Sequence, residues 1–73
     1  MKITLSEFYT IPIYDYFLRI IFHGVTVFDE DKNTDLIENY ILPIYGDKII
    51  KSIECFNGTA YYDGVIFEIK LED

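Results

Sequence analysis

The sequence predicts an α+β fold: a four-stranded antiparallel sheet made of two strand pairs, one main helix and a short N-terminal helix, arranged in two layers. Three observations carry that expectation. β-Branched and aromatic residues crowd into segments 14–22, 25–28, 48–56 and 65–71, a composition that suits a pleated, half-buried surface. Glycine-bearing turn signals divide these segments into pairs, with His23-Gly24 inside the first and Asn57-Gly58 or Asp63-Gly64 inside the second. Between the pairs lies an amphipathic stretch, 34–42, with helical spacing of its apolar residues. A helix laid on a sheet buries the one apolar side that each of them has.

Taken in order, Thr4-Leu5-Ser6-Glu7 has the spacing of a capping box. The Glu7 amide would donate to the Thr4 hydroxyl, and the Glu7 carboxylate would accept from the Thr4 amide. A short helix should follow and stop at Pro12, because proline lacks an amide hydrogen and pushes Ile11 out of the helical region. Segment 14–22 reads as a largely buried strand. His23-Gly24 then admits two readings, a tight hairpin or a bulge in one long bent strand, of which the hairpin is preferred. After the acidic stretch 29–33, Thr34 or Asp35 should cap the main helix, with Leu36, Ile37, Tyr40 and Ile41 on one face. Pro43 and Gly46 should end it. The last strand alternates, with Val65, Phe67, Ile69 and Leu71 on one side and Ile66, Glu68 and Lys70 on a solvated side.

Composition excludes several classes of function. The 73 residues form one domain, 1–73, with no room for a separate cofactor-binding unit, and no cofactor or metal is expected. A hydrophobic content of 51% with thirteen Phe and Tyr argues for a folded chain. Thirteen Ile against a single Ala fits an AT-rich coding sequence. Cys55 stands alone, so no intramolecular disulfide is available and a cytoplasmic setting is expected. Glu7 interrupts what would be the apolar region of a signal peptide, and no apolar run approaches the roughly 18 residues of a membrane span. With thirteen acidic residues against six basic ones, net charge −7, direct binding to nucleic acid or to an anionic membrane is disfavoured.

Four arrangements merit chemical scrutiny. Asp29, Asp31, Asn33 and Asp35 match the first half of a calcium-binding loop, which needs oxygen ligands at alternate positions. The second half fails, since Thr34 stands where the turn needs Gly and Tyr40 where a bidentate Glu is needed. A helix-capping acidic turn is the better reading. His23 and Cys55 would make a nucleophile pair only if the fold brought them together. Seven tyrosines exceed what a small core can bury with partners for every hydroxyl, so some must be exposed. Tyr61 and Tyr62, beside Asp63 near a turn, are the best candidates for a contact surface. Finally, same-face acids on a strand lie roughly 6.8 Å apart, about two phosphate steps of one nucleic-acid strand. Asp29, Glu30, Asp31, Asp35 and Glu38, and separately Glu68, Glu72 and Asp73, would therefore offer a protein partner a negatively charged face.

The chain also resembles, in style across most of its length, the small acidic proteins of phages and mobile elements of low-GC bacteria, a group that includes anti-CRISPR proteins. The likeness lies in the Thr4-Leu5-Ser6-Glu7-Phe8 start, the strand running into Val27-Phe28-Asp29-Glu30-Asp31, the helix Asp35-Leu36-Ile37-Glu38-Asn39-Tyr40, and the closing Ile49-Ile50-Lys51-Ser52-Ile53-Glu54 and Ile66-Phe67-Glu68-Ile69. It implies a non-enzymatic inhibitor that occupies the nucleic-acid or subunit-binding surface of a host protein, such as a CRISPR nuclease or another basic nucleic-acid-binding protein. A second expectation, from a different class, is a small structural or regulatory homo-oligomer, a homodimer in its simplest form, that pairs strand edges or an apolar helix face.

Overall fold

A computed structural model describes residues 2–12, 16–31, 34–57 and 64–72. Its elements are α1 (Leu5–Tyr9), β1 (Phe17–Phe22), β2 (Val25–Asp31), a helical segment made of α2 (Thr34–Leu36), a π-helical turn (Ile37–Ile41) and α3 (Leu42–Tyr45), then β3 (Ile50–Asn57) and β4 (Val65–Leu71). The α+β class and the four strands are as expected. The sheet, however, is mixed. Its strand order is β2-β1-β4-β3, with β1 antiparallel to β2, β3 antiparallel to β4, and β1 parallel to β4 along the central seam.

The reason for that correction is topological. A hairpin, a helical return and a second hairpin make β3 run with β2 and β4 run with β1. The pairs are then joined antiparallel only if β1 meets β3 or β2 meets β4. Here β1 meets β4, so the seam is parallel.

The His23-Gly24 hairpin forms. Both residues have positive φ, 54° and 74°, the backbone signature of a two-residue turn whose twist matches that of its strands. Asp29, Glu30 and Asp31 belong to β2, although the sequence places them in a turn. Pairing with Arg19, Leu18 and Phe17 supplies the backbone partners that hold this acidic segment extended. Asn57 pairs with Val65, so residues 58–64 separate the two partners and neither two-residue turn joins them directly.

Pro43 does not end the helical segment. The Leu42 amide donates to the Ile37 carbonyl, five residues back. That wider turn relieves the clash a proline ring makes with the carbonyl four residues before it. The segment therefore runs on through Pro43 to Tyr45 and is capped by Gly46. Ile37 and Ile41 are buried as expected, whereas Tyr40 is 64% exposed, because the π turn rotates it off the apolar stripe.

The core joins Leu5 and Phe8 of α1, Ile37 and Ile41 of the helical segment, and Leu18, Ile20, Phe28, Ile50, Ile69 and Leu71 of the sheet. Three rings, Phe8, Tyr16 and Phe67, meet edge to face with centroids 5.3 to 6.3 Å apart, a preferred aromatic geometry. They fasten α1 to β4. The capping box at α1 is complete, the Thr4 amide lying 2.9 Å from Glu7 Oε1 and the Glu7 amide 3.1 Å from Thr4 Oγ1. Backbone bonds from Leu5 to Lys48, Ser6 to Gly46 and Ile50 to Ile3 tie the same helix to the chain that leads into β3.

Candidate functional site

Strand alternation sorts the sheet residues into two sets. Leu18, Ile20, Phe28, Phe67 and Ile69 face the core. The opposite set can be read off the register as rows running across the strands. One row carries Asp29, Arg19, Glu68 and Glu54 on β2, β1, β4 and β3 respectively. Neighbouring strands lie about 4.8 Å apart, so this row spans about 14 Å. A second row, one pleat away, carries Asp31, Phe17, Ile66 and Phe56.

Arg19 organises the charged row. Its Nε donates to Asp29 Oδ1 and its Nη1 to Glu68 Oε2, each at 3.2 Å. The hydrogen bond to Asp29 and then that to Glu68 hold its guanidinium in the charged form, raising its pKa above the usual arginine value. Glu54 stands directly opposite Glu68, a like-charge cross-strand pair, which is destabilising. Beside this row, Ile66 is buried outside the main core cluster, which corrects the expectation of a wholly solvated outer side on β4. Phe56, opposite it on the edge strand, is 43% exposed. The acidic row thus has an aromatic and aliphatic flank.

Of the acidic residues singled out from sequence, Asp29, Glu30, Asp31, Asp35 and Glu38 do not share one face, Glu68 lies in the row just described, and Asp73 is outside the described residues. The first five are exposed. Asp29 and Asp31 lie on the outer side of β2, and Glu30 on the side of Phe28. Asp35 and Glu38 belong to the helical segment whose Ile37 and Ile41 pack into the core with Ile20 and Phe28. They sit in its first turns, where acids complement the helix dipole. Tyr61, Tyr62 and Asp63 lie outside the described residues.

Sequence reasoning missed Arg19, Glu54 and Phe56 as members of the site. Alternation in β4 marks Glu68 as outward, but only the register shows which residues stand beside it.

The other candidates separate. Cys55 pairs with Phe67, and Phe67 with Leu18, whereas His23 lies five residues beyond Leu18 along β1. At roughly 3.4 Å per residue, the two are about 17 Å apart along the strands alone. Asp29 and Asp31 are in a strand and Asp35 in a helix, so the half-matching calcium loop is not formed. Among the described residues, no group of three His, Cys, Asp or Glu side chains is placed to hold a metal ion, and no helix is long and apolar enough to cross a membrane.

No family model matches the chain, and no match was found among curated proteins or solved structures.

Proposed function

We propose that this chain is a non-enzymatic protein-binding module that sets the outer side of its sheet against the basic groove of a nucleic-acid-handling protein. In this reading it is a phage-encoded, anti-CRISPR-like inhibitor acting in the host cytoplasm, and the sheet and helices form two layers that leave the outer side free for the partner. The observation that carries the reading is the row Asp29, Arg19, Glu68 and Glu54 with Asp31 one pleat away. Four carboxylates share one side, and Arg19 fixes two of them in place.

Carboxylates held before binding lose less side-chain freedom when a partner's lysines and arginines arrive. Their field speeds encounter in a salt-dependent way. The like-charge pair of Glu54 and Glu68 disfavours the isolated fold and is relieved by a basic partner. Phe56 supplies an apolar anchor beside the charges, the kind of residue that concentrates binding energy at interfaces.

Affinity capture from a nuclease-treated lysate of a low-GC bacterium carrying a CRISPR system tests this, with bound proteins identified by mass spectrometry at low and high salt. A basic nucleic-acid-binding protein should be retained at low salt and weakened at high salt. Joint charge reversal at Asp29, Asp31, Glu54 and Glu68 should abolish its capture, and unchanged capture by that variant would end the reading.

The exposed Phe56 on an edge strand supports a second reading, a homo-oligomer that pairs through β3. Light scattering separates the two, because a mass independent of concentration removes self-pairing.

A further inference from the structure

We propose that a cleft at the carboxyl ends of β1 and β4 binds a phosphoryl dianion, as inorganic phosphate or as the head of a small phosphomonoester. The cleft encloses about 450 Å³ and is lined by Ile21, His23, Gly24, Lys51, Lys70 and Leu71. The cleft adjoins the acidic row, one pleat away on the same side of the sheet, and the inference does not rest on the reading of that row.

Its walls come from three separated pieces of sequence that the parallel seam unites. β1 and β4 run the same way, so their carboxyl ends lie side by side and Ile21 pairs with Lys70. The third wall depends on an irregularity. The register of β3 against β4 shifts between Ile50 and Ser52, which makes Lys51 the extra residue of a bulge. Bulges bend a strand and re-aim a side chain, and here the re-aimed residue lines the same cleft as Lys70. The hairpin turn brings His23 to the rim.

The charge distribution indicates what the cleft receives. Of the six basic residues in the chain, Arg19 is bound by Asp29 and Glu68, and the Lys48 ammonium lies 5.3 Å from the centre of the Phe22 ring. Lys51 and Lys70 form no ion pair among the described residues. Glu68 shares the face of Lys70 but is already engaged by Arg19 at 3.2 Å. Two lysines therefore line one cleft in a protein of net charge −7, with His23 beside them. Lysine binds phosphate as a compact charge with three donors. The volume exceeds that of a single phosphate and falls within the usual range for small-ligand sites. Ile21, on the same outer side as Lys70, offers an apolar patch on which the body of a monoester can rest.

The test is a titration of the full chain followed by ¹H–¹⁵N correlation spectra, with sodium phosphate and AMP as probes and adenosine and sodium chloride at matched ionic strength as controls. Saturable shifts at the amides of Ile21, His23, Gly24, Lys70 and Leu71 are expected with phosphate and AMP but not with adenosine. Saturation by AMP alone assigns the cleft to phosphomonoesters, and saturation by phosphate alone assigns it to the free ion. Lys51→Ala and Lys70→Ala should each weaken binding about tenfold, while Lys51→Arg, which keeps the charge, should stay within about threefold. Both lysines are exposed, so the variants keep the fold, which the dispersion of the same spectra verifies. Shifts that follow ionic strength alone, or equal affinity in the double alanine variant, would overturn the proposal.

Discussion

The two sides of the same four strands have been put to different uses. On the core side, Ile20 and Ile69 face each other across the seam with no exposed surface, in one core cluster with Leu5, Phe8, Ile37 and Ile41. On the outer side, one residue earlier on each strand, Arg19 stands opposite Glu68 with its side chain 39% exposed. A shift of one residue thus separates the part of the sheet that makes the fold stable from the part that carries charge. Burial outweighs ion pairing wherever solvent screens the latter, so stability should depend on the first side and recognition on the second.

Substitutions can break this contrast at graded strengths. Ile20→Ala is expected to cost most, about 2–5 kcal/mol, because it removes buried methylenes from the seam and leaves a cavity. In a domain this small that is much of the total stability, and a urea titration should show the midpoint falling sharply or the transition vanishing. Gly46→Ala should cost about 1–3 kcal/mol. Its backbone is ordinary for a helix end, but an added methyl would overlap the Leu42 carbonyl and the Ser6 hydroxyl where α1 crosses α3. Thermal melting should register it as a clear loss.

Thr4→Ala, which removes the hydroxyl half of the capping box, should cost about 1 kcal/mol in the same assay. On the outer side, Arg19→Gln should change stability by less than about 1 kcal/mol, since Arg19 and Asp29 are both more than a third exposed and solvent screens their attraction. The same variant should alter the salt dependence of partner capture. A stability loss as large as that of Ile20→Ala would collapse the distinction between the two sides.

The smallest signal concerns protons. Burial pushes the Tyr16 phenol above the usual tyrosine value, with Tyr9 adding to the rise. The folded state favours neutral Tyr16, so this contribution is complete below pH 10 and is lost as pH climbs through the raised value. Tyrosinate absorbance should show Tyr16 titrating later than an ordinary tyrosine, and Tyr16→Phe should remove that late step.

Much of the local structure was legible in the sequence. The capping box, the His23-Gly24 hairpin, the alternation of β4 and the apolar pair Ile37 and Ile41 each rest on interactions between residues a few positions apart. The site was less legible because its members come from four strands. Asp29 and Glu68 are far apart along the chain and touch Arg19 only because β1 lies between β2 and β4.

By itself, then, the sequence determined the α+β class, the four strands, the acidic balance and the segments that carry it, since composition and periodicity act over single elements. Tertiary structure alone decided the parallel seam, the passage of the helical segment through Pro43, the separation of Asp29 and Asp31 from Asp35 and Glu38, and the meeting of Lys51 with Lys70. Those outcomes depend on which strand ends lie beside which. That choice is made by packing the whole core at once, and no local pattern encodes it.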